Sequence, residues 1–293
     1  MIEKVFLQNG WSCNQVAAGK AGSFPTFIVD RQRVIKFFGP LFEGAKCWQV
    51  EQEAAQLMKN VPEVPVAGLL GSGSLESATG WNYLVFEYLP GSSIGEFYKQ
   101  ICWEDRLALA GWLGEWLSCM HRTKEKGGSC MPHLSRDMAR GWFGSRWPEE
   151  QKQWPKHLAN QVEDYLTRND ALLQSSCEAF VHADLTQDHL LGELVAGHWR
   201  TQGVIDFGDA MWGNIYYELA ALHLDLFDSD KRLLKAFLEA YDLPRDADFP
   251  KKAMVTTLMH QFDVYAHLFA WKPELLEAGS LEELADRLWK IEG

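Results

Sequence analysis

Two short stretches hold the residues best suited to chemistry. In "FVHADLTQDHLL" an apolar run delivers His182 and Asp184, with His189 following. In "GVIDFGDA" a second apolar run delivers Asp206 and then Asp209. The intervening "HLLGELVAGHWRTQGV" reads as two short strands around a Gly-containing turn, so both Asp184 and Asp206 fall just past strand ends and can converge. Such a pair suits phosphoryl transfer: one carboxylate orients or deprotonates an attacking hydroxyl, and the other holds Mg²⁺ against phosphate oxygens. The H-x-D spacing also fits a non-haem Fe(II) oxygenase, with His223 or His260 completing a two-histidine, one-carboxylate set. That alternative needs many strands around the site, whereas the flanking chain reads as helical.

Upstream residues complete the first chemistry. Lys36 lies inside the apolar "RVIKFF", where an ammonium is costly without an anionic partner. Glu51 or Glu53 on the next helix can supply one, leaving Lys36 to reach a nucleotide phosphate. Before it, "AAGKAGSFPTFIV" carries Gly19 and Gly22, which let backbone N–H groups approach phosphates closely. After it, "VFEYLPGSS" runs from a strand into a Gly-containing segment, a hinge whose backbone can bind a base.

The elements that position these residues divide into two parts. "FPTFIVD" and "RVIKFF" predict a hairpin around "DRQR", residues 47–60 a helix stopped by Pro62 and Pro65, and "WNYLVFEYL" a buried strand. From "WEDRLALAGWLGEWLSCMH" onward the periodicity is helical, with Leu107, Ala110, Leu113, Leu117 and Met120 on one face. Further helices are predicted over 150–168, 230–241, 252–271 and 281–291. Residues 1–90 thus read as a nucleotide-binding β-sheet with one helix, and 91–293 as a helical part holding the catalytic and metal loops and the substrate site.

Taken in order, these motifs resemble the protein-kinase-like fold, in its aminoglycoside phosphotransferase and choline kinase branch, including hygromycin-type phosphotransferases. That branch carries a strand lysine, a helix glutamate, a loop HGDxxxxN, and an IDFGDA-like metal motif followed by D-L-A. Here "VHADLTQDHLL" looks like the catalytic loop, with Ala183 for glycine, and "GVIDFGDAMWGNIYYELAAL" like the metal motif and its helix. "WLGEWLSCMH" is similar to the family helix ending in Leu-His, with Met120 for leucine.

The resemblance covers about residues 19–241 and implies an α+β, bilobal kinase-like fold. It makes Asp184 the catalytic base, Asp206 the main Mg²⁺ ligand, Lys36 the phosphate-contacting lysine and Glu53 its partner, preferred to Glu51 by the E-x-x-x-L spacing. Gly22 and Ser23 would contact the nucleotide, and Glu87, Tyr88 and Leu89 would form the hinge. His189 falls where the family has an asparagine as second metal ligand. Imidazole suits Mg²⁺ poorly, so one metal suffices or His189 acts through water. The same substitution leaves open a nucleotide-binding protein without turnover. His182, His121, Asp209 and Glu218 read as structural supports.

The implied cofactors are Mg²⁺ and ATP or GTP, and the implied partner is a small-molecule acceptor: an aminoglycoside-type antibiotic or a similar amine or sugar. A cationic acceptor would suit the net charge of -12, which argues against nucleic-acid binding. The 293 residues are 47% hydrophobic and 23% charged, enough for a real core. Six scattered cysteines without a CxxC pair fit thiols in a reducing compartment. With no apolar run of membrane-spanning length and no leader pattern at "MIEKVFLQNG", the expectation is a cytoplasmic monomer or dimer.

Overall fold

The computed structural model describes residues 2–20, 22–59, 61, 66–75, 80–125, 127–174 and 178–292, so the expected Pro62 and Pro65 helix stop lies outside the described residues. In chain order the first elements are α1 (Ile2–Gln8), β1 (Val16–Ala18), β2 (Thr26–Val29), β3 (Arg33–Phe38), α2 (Gly44–Met58), β4 (Leu69–Ser74), β5 (Asn82–Glu87), β6 (Ser92–Ser93) and α3 (Ile94–Phe97). There follow α4 (Trp103–His121), α5 (Arg136–Glu150), α6 (Lys156–Ala159), α7 (Val162–Arg168), β7 (Ala179–Val181), β8 (Leu190–Val195), β9 (His198–Val204) and β10 (Met211–Gly213). The chain ends with α8 (Ile215–Ala221), α9 (Lys231–Tyr241), α10 (Phe249–Leu258), α11 (Val264–Trp271) and α12 (Leu281–Trp289). One compact unit comprises Met1–Gln100, Lys126–Met131 and Asp188–Ala210; the other comprises Ile101–Glu125, Pro132–Gln187 and Met211–Gly293.

The first unit is built on an antiparallel sheet of order β1-β2-β3-β5-β4. Its β2–β3 hairpin turns through Asp30 and Arg31, both left-handed at φ 52°, with Gln32 N–H donating to the Val29 carbonyl at 3.0 Å. That is a type I′ turn, whose twist matches the strands it joins. Strand alternation then sets the two faces of β3. Ile35 and Phe37 pack with Val5 and Phe6 of α1, while Lys36 turns to α2. The sequence pattern did not foresee α1, whose two buried residues carry too little periodicity. A second hairpin, β8–β9, turns through left-handed Ala196 and Gly197 and brings Ile205 N–H to the His189 carbonyl at 3.0 Å.

The second unit is mainly helical. Leu109, Ala110, Leu113, Trp116, Leu117 and Met120 of α4 are buried, and α9 contributes Leu233, Leu234, Phe237 and Leu238. At 100° per residue these α4 positions share one arc of about 120°, and Leu107, expected on it, falls about 60° beyond its edge and is 39% exposed. Gly114 permits the close approach of the two helices: a β-carbon there would sit 2.4 Å from the Phe237 carbonyl oxygen. Beside them β7 pairs antiparallel with β10, matching Val181 to Met211 and Ala179 to Gly213.

Two predicted helices are corrected. Residues 252–271 are two helices, separated where Asp263 caps α11 by accepting from Ala266 N–H. The span 150–168 takes in the last residue of α5, a 3-10 turn at Gln151–Gln153 and the short α6 and α7, while the body of the longer α5 precedes it behind a Ser135 cap that accepts from Met138 N–H.

The glycine contacts make a paired prediction. Gly114→Ala should destabilise the fold by about 1–3 kcal/mol through overpacking. Gly111→Ala, in open space on the same helix, should stabilise it by about 0.5–1 kcal/mol. Urea unfolding of the two variants measures both, and equal effects would contradict the packing described.

Candidate functional site

In the first unit the site is built around Lys36, which is 7% exposed. Its Nζ donates to Glu51 Oε2 at 2.8 Å and to Asp206 Oδ1 at 2.7 Å. The ammonium also lies 5.4 Å from the Phe38 ring centroid and 5.6 Å from that of Phe24, walls that exclude water. Burial alone would lower the lysine; the two carboxylates outweigh it and hold Lys36 well above the ordinary lysine range. For Glu51 burial wins. It pushes the carboxyl up to about 7 against the pull of Lys36, with the Asp206 charge adding to the rise.

The partner of Lys36 is therefore Glu51, correcting the expectation of Glu53. Two positions along a helix differ by about 200°, so only one of the two glutamates can face the sheet. Glu51 shares the buried face with Val50, Ala54, Ala55, Leu57 and Met58. Glu53 points elsewhere and accepts the Cys130 N–H at 2.7 Å and its thiol at 2.8 Å.

Asp206 reaches Lys36 from a left-handed conformation, φ 67°, ahead of the tight turn Phe207–Asp209. Its second oxygen lies 3.9 Å from His189 Nε2. The β8–β9 hairpin accounts for this neighbourhood, because it places His189 beside Ile205. The donor set fits one divalent cation ligand: the Asp206 carboxylate is hard and 38% exposed, whereas the imidazole is a poor match for Mg²⁺.

Nearby, Lys20 forms an ion pair with Asp188 and donates to Ser93 Oγ at 3.3 Å, contacts the sequence pattern had not suggested. Gly19 N–H donates to the Thr26 carbonyl at 2.8 Å, and Gly22 and Ser23 are exposed. Of the hinge segment, Glu87 N–H donates to the Gly68 carbonyl at 2.8 Å and Tyr88 N–H to the Gln32 carbonyl at 3.0 Å. These bonds fix the backbone that leads to Leu89.

In the second unit β7 leads into the loop carrying Asp184. His182 is fully buried, its N–H donating to Glu218 Oε2 at 2.6 Å, and its Nδ1 accepts from Asp184 N–H at 3.3 Å. Glu218, also fully buried, lies 3.7 Å from His121 Nε2, and His121 Nδ1 pairs with the Tyr241 hydroxyl at 2.8 Å. Burial would raise the Glu218 carboxyl, but His121 and the His182 N–H together hold it below the ordinary range. Farther along, Thr186 N–H donates to the Asp184 carbonyl at 2.9 Å and Gln187 N–H to Asp225 Oδ1 at 2.6 Å. The histidines considered as iron ligands have other partners. His223 Nε2 pairs with the Leu288 carbonyl at 3.0 Å, and both nitrogens of His260 face backbone groups.

Comparison with known proteins decides the family. The model of the phosphotransferase enzyme family matches residues 23–253, well over half of the chain. The chain belongs to that family. The GDP complex of wild-type aminoglycoside 2'-phosphotransferase-IIIa superposes on this chain with a TM-score of 0.69 at 18% identity, over 98% of this chain and 96% of that one. The streptomycin-ATP-APH(2")-IIa ternary complex does so with a TM-score of 0.64 at 16% identity, over 97% of each chain. Together these give the chain a kinase-like bilobal fold, as its motifs implied. Among curated proteins, the lysine-specific demethylase JMJ21 of Arabidopsis thaliana is 22% identical over 281 residues, covering 75% of this chain. The chain spans only 30% of that relative's length, and the demethylase name describes the relative. Among the described residues no helix is long and apolar enough to cross a membrane.

Glu51 yields a pH prediction. Its folded carboxyl keeps its proton above the ordinary value of 4.5, so its stabilising contribution is full below that pH and is lost as pH rises through about 7. Relative to Glu51→Gln, the wild type should lose on the order of 2 kcal/mol between about pH 4.5 and about pH 8. Urea unfolding at the two pH values reads the difference, and a constant gap would contradict the perturbed carboxyl.

Proposed function

We propose that this phosphotransferase moves the γ-phosphoryl group of ATP or GTP to a hydroxyl of a small molecule, an aminoglycoside-type antibiotic or a similar amine or sugar. The observation that carries the reading is the buried Lys36 ammonium between Glu51 and Asp206. Paired in this way, Lys36 stays charged and positioned to meet phosphate oxygens. Residues 1–90 would hold the nucleotide, with the Gly22–Ser23 backbone near the phosphates and the segment from Glu87 through Tyr88 to Leu89 against the base. The Glu87 and Tyr88 N–H groups already have carbonyl partners, so Leu89 N–H is the donor assigned to the base.

Asp206 would hold Mg²⁺ through its carboxylate, and His189 would act on that site through water. Bound Mg²⁺ would neutralise charge developing on the transferring group. Residues 91–293 would bind the acceptor. There Asp184 accepts the proton of the attacking hydroxyl at its carboxylate, and transfer proceeds in line without a covalent enzyme intermediate. The net charge of -12 favours a cationic acceptor. The acids of α12 contribute little to that preference, since Glu283 and Asp286 already pair with Arg287 and Lys290. Free thiols at Cys13, Cys47, Cys102, Cys119 and Cys130 accord with action in the cytoplasm.

Asp184→Asn tests the assignment. Nucleotide turnover, with water or an identified alcohol as acceptor, should fall about 100-fold or more while nucleotide affinity stays within about twofold. Equal turnover in the variant would remove Asp184 from the mechanism.

A further inference from the structure

The residue before Asp184 is held in an unfavourable conformation. Ala183 is fully buried and left-handed at φ 69°, a region where a β-carbon crowds the backbone. The resembled motif has glycine at this position, which adopts the same conformation without that crowding. Two buried side chains grip the Ala183 backbone at its two polar groups. Glu218 Oε2, already bonded to His182 N–H, lies 3.4 Å from Ala183 N, and His260 Nε2 lies 3.2 Å from the Ala183 carbonyl oxygen.

The partners of His260 fix its protonation. A carbonyl only accepts, so Nε2 carries the hydrogen; Phe262 N–H donates to Nδ1 at 3.2 Å, so Nδ1 keeps its lone pair. Protonating Nδ1 would set two donors face to face. Burial pushes the imidazole down to about 3, which keeps the ring neutral at working pH. The ring is also fixed in space. It stacks on Tyr217 with centroids 4.2 Å apart, and the Tyr217 hydroxyl accepts Gln261 N–H at 3.0 Å. Arg146 Nη2 donates to the His260 carbonyl at 2.6 Å.

We infer that His260 is a positioning residue: with Glu218 it clamps the left-handed Ala183 peptide and so sets the direction of the Asp184 carboxylate. The inference rests on the assignment of Asp184 as the group that takes the acceptor's proton. Rotation about the Ala183 backbone swings the next Cα–Cβ bond, so releasing the carbonyl relaxes the strained residue and misdirects the base. Ala183 and His260 are thereby coupled, because the clamp supplies what glycine would supply unaided.

The test uses His260→Phe, which keeps a ring for Tyr217 and removes the N–H donor. Amide hydrogen exchange of peptides spanning 180–187 should accelerate about tenfold. Turnover number for nucleotide should fall about tenfold, with the nucleotide KM within about twofold. Adding Ala183→Gly should restore most of the turnover. His260→Gln, whose amide can donate to the Ala183 carbonyl, should keep at least about half of it. If His260→Phe fails to fold, His260→Asn takes its place, because its shorter amide accepts from Phe262 N–H without reaching Ala183. Unchanged exchange and turnover, a glutamine as damaging as phenylalanine, or no recovery with Ala183→Gly would each overturn the inference. Absence of turnover in the wild type would instead sink the reading of Asp184, and hydrogen exchange would still decide the clamp.

Discussion

The first unit depends on one buried cation. An ammonium taken out of water costs several kcal/mol unless paired and hydrogen-bonded, and removing one partner of a buried pair costs about 3–5 kcal/mol. Lys36 therefore constrains every element that meets it. The register of β3 between β2 and β5 sets its depth. The face of α2 must present Glu51, and the segment that follows β9 must pass through a left-handed Asp206. Of the two carboxyl partners of Lys36, Glu51 is buried, whereas the Asp206 side chain is 38% exposed.

The second unit solves a different problem: a short polar loop has to hold its shape without help from regular structure. It does so through partners distant in sequence. Glu218 holds the backbone at His182, Asp225 holds Gln187, and β10 pins β7 from the other side. The loop retains a left-handed alanine at a cost of about 1–2 kcal/mol, bearable only because its surroundings over-determine it.

What was legible in the sequence follows from this. Asp184, Asp206 and Lys36 were visible because each interrupts or ends an apolar strand, a conflict that burial and periodicity expose directly. Glu51 against Glu53 was not visible, since both lie on the predicted helix and only the packed face decides. The break near His260 was hidden because "LMHQFDVYAH" has neither glycine nor proline; the Asp263 cap was the available signal. Ser135 likewise marked α5, though the tryptophan-rich run behind it blurred the period. The partners His260 for Ala183 and Glu218 for His182 lie 77 and 36 positions apart, beyond any local pattern.

The most direct test of the central claim is calorimetric titration of the whole chain with ATP and with GTP, each with and without Mg²⁺, beside Asp206→Ala. Saturable binding of at least one nucleotide, strengthened by Mg²⁺ in the wild type and insensitive to it in the variant, is the expected result. Failure of both nucleotides to bind, or an equal Mg²⁺ effect in the two proteins, would contradict a nucleotide and metal site built on Lys36 and Asp206.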